Sequence, residues 1–112
     1  IYVGDSLYNK AKIYALKAVG VRKKNNNKVS EAAALGNLAS ISLIQGEYED
    51  ARITYSKALN LIENDTTSLA IKYKESLYYN LAWTLFLLKD LPKVFLERFE
   101  LLFDRFPPRP RC

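Results

Sequence analysis

Covalent and metal chemistry have little to work with in these 112 residues: there is no histidine, and the single cysteine, Cys112, is the last residue. Zinc sites and nucleophile–base pairs draw on those two residue types, so most metal and triad chemistry is excluded. No enzymatic activity, metal or cofactor is expected. One terminal cysteine cannot close an internal disulfide, which leaves the compartment open, with the cytoplasm as the default. Glu47, Glu49 and Asp50 come nearest to a catalytic carboxylate pair. They crowd the start of an amphipathic segment, where the exposed amide end of a helix favours negative charge, so dipole complement is their expected work. Hydrogen-bonding chemistry remains. Asn37 and Asn80 each stand mid-segment before Leu-Ala, and asparagine is a weak helix former, so both need a reason other than propensity. A side-chain amide carries a donor and an acceptor and can pair with both groups of a peptide backbone without reading its sequence. The plainer alternative is that each amide bonds within its own fold or faces water.

The elements that must position these amides read as helices. At 49% hydrophobic and 26% charged, the chain reads as one soluble domain with enough apolar residues for a core. It has no methionine and opens on Ile1-Tyr2-Val3, so it is expected to be a piece of a longer protein. Its longest strongly apolar stretch, residues 81–88, is far short of the roughly 18–20 residues that span a bilayer. From Leu7 to Lys24, small and apolar positions recur at three- and four-residue steps, the period of a helix packed on one side, with Gly20 weakening its end. Asn25-Asn26-Asn27 suits both a helix stop and the next cap. A second helix runs from Val29 to Ile44 and stops at Gln45-Gly46, a left-handed terminator. A third places Ala51, Tyr55, Ala58, Leu59 and Ile62 on one stripe. After the cap-rich 63–67 comes a long fourth helix with Leu77, Leu81, Leu85 and Leu88 along one side. A fifth, Leu91 to about Arg105, ends before the prolines of 107–110. Five helices, no strand alternation and short connections predict an all-α fold of antiparallel neighbours.

The formal charge of +5 is unevenly spread: net +6 over 1–30, −4 over 31–71 and +3 over 72–112. Lys10, Lys17 and Lys24 share one helical face, while Arg22, Lys23 and Lys28 border the asparagine loop. A nucleic-acid module would set stacking or base-reading groups among its bases. A solvated face is the expected reading, and nucleic acid and membrane are disfavoured as partners.

Bundle and solenoid are separated by internal repetition. Residues 6–11 match 46–51 at an offset of 40, with Ala11 and Ala18 returning as Ala51 and Ala58. Asn37-Leu38-Ala39 returns as Asn80-Leu81-Ala82 at an offset of 43. A helix-turn-helix unit of about 40 residues therefore occurs in succession, as in a stacked array. Over residues 32–65, Leu35, Leu38, Ala39, Gly46, Tyr48, Ala51, Tyr55, Ala58 and Leu59 stand where a tetratricopeptide repeat has its large, small, turn and aromatic positions, and the chain resembles that family. The longer spacing resembles the repeats of kinesin light chains, Pins-type adaptors and bacterial tetratricopeptide regulators or sensor kinases. The resemblance divides the chain into 1–24 (second helix of an incomplete repeat), 25–65 (a complete repeat), 66–106 (a degenerate repeat) and 107–112 (a Pro/Arg-rich tail).

What the resemblance implies is an α-solenoid of about five helices. It would be a non-catalytic scaffold binding a protein or peptide in a concave groove, within a larger regulatory or signalling protein. It suggests groove positions Gly36, Asn37, Ser40 and Ile44, and Tyr79, Asn80, Trp83 and Leu87. Family members that clamp a terminal carboxylate carry Lys or Arg at several of these positions, and none stands there, so an apolar, amide-bearing groove is expected. The fifth helix bears more apolar surface than one neighbour should cover, including Phe95, Phe99 and Phe103. Further repeats, a second copy of the chain or a membrane surface could cover it. An architectural or dimerising segment that uses this helix is thus the alternative function.

Overall fold

The computed structural model describes residues 3–88, with side chains from residue 7 onward. Four helices make up this part: α1 (Val3–Lys24), α2 (Lys28–Ile44), α3 (Tyr48–Leu61) and α4 (Ser68–Leu88). Each packs on the next, and α2 also meets α4. The fold is all-α and forms tetratricopeptide-like hairpins, with no strand among the described residues. The expected fifth helix, with Phe95, Phe99 and Phe103, lies outside the described residues.

The first two turns use one device. After α1, the amide of Asn27 donates to the Arg22 carbonyl and that of Asn26 to Lys23. After α2, Glu47 donates to Ser42 and Gly46 to Leu43. In both, the residue between must take a left-handed backbone. Gly46 does so at φ +81° and Asn26 at φ +59°, asparagine being among the few side-chain-bearing residues that tolerate it. Asn27 then turns extended, and its side-chain oxygen accepts from the Ser30 amide at 3.1 Å, capping α2. Gly20, expected to weaken the end of α1, lies inside it, and a Cβ there would meet no atom within 4 Å. At the third turn, Asp65 accepts from the amide and hydroxyl of Thr67, and the Thr67 hydroxyl accepts from the Ala70 amide, opening α4. These bonds hold the Asp65 carboxyl below the usual aspartate range; the Thr67 amide contributes most, then its hydroxyl.

Packing follows the small residues. Ala32, Ala39, Ala51 and Ala58 are fully buried, so helix backbones approach closely, and Tyr55, Leu35, Leu38, Leu59 and Ile62 fill the gaps between hairpins. Lys12 reaches Glu47 at 2.6 Å, and Gln45 donates to Asn9 at 3.0 Å. These contacts fix the start of α1 beside the end of α2, so the two helices run antiparallel. The closest approach between α2 and α4 is at Gly36: a Cβ there would lie 2.9 Å from Leu77 Cδ2. Glycine at this position lets the first helices of successive hairpins touch.

Candidate functional site

Around the Gly36–Leu77 contact, α2 and α4 border a hollow of about 510 Å³. Ala33, Gly36, Asn37 and Ser40 come from α2, and Lys72, Tyr73, Ser76, Leu77 and Asn80 from α4. Tyr55 of α3 closes the floor and Arg22 reaches in from the end of α1. The recurrence of lining positions at three- and four-residue steps puts one face of each helix on the hollow.

The floor is hydrogen-bonded. Ser40 Oγ donates to the Gly36 carbonyl at 3.0 Å, and its contact with the Tyr55 hydroxyl is 2.8 Å. A serine hydroxyl has one proton, so Tyr55 donates in that contact. Both side chains are buried, and the bond gives the phenol a partner that its burial requires.

Asn37 and Asn80, equal in sequence context, differ in setting. Asn37 is exposed and borders this hollow and a second one of about 310 Å³ between α1 and α2. Asn80 is 5% exposed, and its side-chain oxygen is buried without a hydrogen-bond partner among the described residues. Its backbone carbonyl is satisfied by the Thr84 hydroxyl at 2.7 Å, so the deficit belongs to the amide. Native folds leave few buried polar atoms unpaired, and each such atom costs roughly 1–3 kcal/mol.

Of the residues expected to line a groove, Gly36, Asn37, Ser40 and Asn80 come together here. Ile44, Tyr79, Trp83 and Leu87 do not line this hollow. Ile44 is exposed beyond the last buried turn of α2. Tyr79 sits on α4 one position before Asn80 and is half-buried. Trp83 stacks on Phe86 with centroids 5.5 Å apart and, like Leu87, packs against the core.

The hollow is not wholly apolar and amide-bearing, since Arg22 and Lys72 also border it. Neither occupies a position the repeat pattern singles out: Arg22 is brought in by the reversal of the chain at Asn25–Asn27, and Lys72 lies two turns before Asn80 on α4. Arg22 donates to the Ser30 carbonyl at 3.5 Å, which ties it to the start of α2. The grouping of Arg22, Lys23 and Lys28 around the loop was the available sequence signal. No carboxylate lines the hollow among the described residues. No group of histidine, cysteine, aspartate or glutamate among them could hold a metal ion, and no helix among them is long and apolar enough to cross a membrane.

The comparisons with known proteins bear on the stretch that supplies α2 and α3. The family model described as tetratricopeptide repeat matches residues 32–65. No curated protein and no solved structure matches the chain. Tetratricopeptide repeats are generally non-catalytic scaffolds that bind protein or peptide partners. The family match covers α2 and α3, where buried alanines and a glycine stop between the helices fit it, so residues 32–65 are a tetratricopeptide repeat.

Proposed function

We propose that the chain is a non-catalytic binding scaffold that takes an extended peptide or protein segment into the hollow between α2 and α4. The observation that carries this reading is Asn80. A buried amide oxygen with no partner among the described residues is costly in the unliganded fold and is satisfied when a ligand brings an N–H to it. A peptide group offers an N–H and a C=O together, so it matches the amide whichever way the side chain is turned. Asn37, exposed on the facing helix, supplies a second and weaker contact. Ser40 and Tyr55, bonded to each other, form the polar floor beneath.

The reading extends to the rest of the chain. Residues 25–65 are the complete repeat, preceded by the second helix of an earlier one, and 66–106 form a degenerate repeat that supplies the far wall of the groove through α4. The scaffold serves a larger regulatory or signalling protein. The architectural alternative, a segment that joins or dimerises neighbours through Phe95, Phe99 and Phe103, rests on residues outside the described part and differs in which face loses function when mutated.

Peptides selected from a random display library on the whole chain, then titrated against variants, test the groove. Asn80→Ala is expected to weaken them about tenfold, the lower part of the range for a satisfied buried polar group. Asn37→Ala is expected to cost less than about threefold. Equal affinity for the parent and Asn80→Ala overturns the reading.

A further inference from the structure

The second hollow, about 310 Å³ between α1 and α2, differs in chemistry from the first. It is lined by Ala11, Ala15 and Ala18 of α1 and by the buried Ala34 and Ile41 of α2. Only Tyr14, Arg22 and Asn37 in that lining carry a polar group on the side chain. The apolar surface runs on past it. Leu7, Tyr14 and Val21 stand seven apart on one line of α1, beside Ala11 and Ala18, and are 58%, 68% and 58% exposed. On α2, Ile44 continues the three- and four-residue steps of Ala34, Asn37 and Ile41 and is also exposed. The Gln45–Asn9 bond sets this end of α2 beside the start of α1, so Ile44 and Leu7 extend the seam at the same end. Charge at the seam has one sign. Arg22 lines it, and Lys17 holds its ammonium 5.5 Å from the centre of the Tyr14 ring at its border. Lys10 stands one heptad before Lys17, and α1 has no acid from Leu7 to Lys24. No carboxylate lines this hollow among the described residues.

We infer that this seam seats an α-helix of a partner protein, about four turns long, whose apolar stripe is flanked by aspartate or glutamate. The lining decides against an extended segment, which would bring an N–H and a C=O at every residue to a surface with few polar groups, whereas a helix satisfies its own backbone. The alanines let a helix approach closely and leave room for its larger apolar side chains. The length follows from Leu7 to Val21, a rise of about 21 Å along α1. The sign of the flanks follows from Lys10, Lys17 and Arg22, which attract acids and steer them to the seam. A second copy presenting its own α1 would instead bring like charges together, which disfavours that contact.

The test displays amphipathic helices of about 18 residues on phage, with leucine and alanine fixed along one stripe and the flanking positions left random, and selects them on the full chain. The selected flanks are expected to be rich in Asp and Glu. A selected helix made with those acids changed to their amides should bind about tenfold more weakly, as expected for solvent-screened pairs. Tyr14 and Val21 are exposed, so Y14S/V21S should keep its melting midpoint while weakening the selected helix about tenfold or more through lost apolar contact. K10E/K17E should reverse the preference and select Lys and Arg flanks from the same library. Asn80→Ala, in the other hollow, should leave helix binding unchanged, so this inference and the peptide groove fail separately. Flanks without acidic excess, affinity unchanged in Y14S/V21S, or selection of no helix would overturn the inference. So would self-association of the chain in sedimentation, or its binding to phosphatidylserine vesicles, where either is lost in Y14S/V21S, because the seam would then belong to a second copy or to a lipid surface.

Discussion

Along α2, the side turned to α3 is closed by alanine against alanine, with Tyr55 and Leu59 sealed beneath, whereas the side turned to α4 meets it at Gly36 and Leu77 and borders a hollow. The first seam is made by small residues on both helices. The second has a small residue on one helix, a leucine on the other, and polar side chains beyond. The same helix thus serves stability on one side and recognition on the other. Burial without voids makes the α3 seam intolerant of added volume, while the α4 seam spends stability on an amide oxygen that no described neighbour satisfies.

The sharpest way to break this contrast is to add volume to the closed seam. Ala51 is fully buried, so Ala51→Leu is expected to cost roughly 1–3 kcal/mol by overpacking. In thermal unfolding followed by circular dichroism, that lowers the midpoint by about 4 °C or more per kcal/mol for a domain of this size. An unchanged midpoint would show that α2 and α3 are not packed as described.

Asn80 allows the opposite experiment on the open seam. Asn80→Leu removes a buried, unpartnered oxygen and adds an apolar group of similar size beside Leu77. It is expected to raise stability by about 1 kcal/mol while weakening selected peptides at least tenfold. A structural asparagine would behave otherwise, because its loss would lower the melting midpoint. Stability and binding moving in opposite directions is the signature of a residue kept for its ligand.

The closed seam was legible in the sequence, and the open one only in part. Ala39, Ala51 and Ala58 reveal close helix contact because their small size recurs at helical spacing. Gly46 and the asparagine run announce stops because few residues accept a left-handed backbone. The start of α1 at Val3 rather than Leu7 escaped because Val3–Ser6 lack the periodic pattern. Asn37 and Asn80 share the context Asn-Leu-Ala, so nothing local separates the exposed one from the buried one. Their difference arises from what packs above them, which is tertiary. Arg22 was missed for the same kind of reason: its place in the lining depends on where a loop returns the chain. Trp83 fits either the core or the groove by its sequence position and Leu87 was placed in the groove on resemblance; both pack against the core.

A subtler probe of the comparison is Gly36→Ala. The added methyl would fall 2.9 Å from Leu77 Cδ2, the far end of a flexible side chain, so the leucine can yield by changing rotamer or α4 can shift by a few tenths of an ångström. Off-rotamer strain of about 0.5–1.5 kcal/mol opposes a gain of about 1 kcal/mol from replacing glycine by alanine inside a helix. The two nearly cancel, and the melting midpoint is expected to move by less than a few degrees. Peptide affinity should change more than stability does, since Gly36 sets the distance between the two walls. A large drop in stability with unchanged binding would place the methyl's effect in the core.

The smallest effect expected is at the turn that launches the open wall. Asp65 is exposed at its carboxyl, and its bonds to Thr67 lower its pKa from the ordinary aspartate value. A depressed folded-state pKa means that the ionised form stabilises the fold: the contribution is present above the ordinary value and is lost as pH falls through the lower, folded one. The parent should therefore lose a little stability on acidification below about pH 4, near the ordinary aspartate value, and Asp65→Asn should flatten that part of the profile. Lys74 donates to the Glu63 and Asp65 carbonyls at 3.0 and 2.6 Å in both proteins, so the turn keeps its shape and the difference reports the carboxylate. Melting midpoints measured between pH 3 and pH 7 check this, and identical acid limbs for parent and variant would mean that the Thr67 bonds do not bias the start of α4.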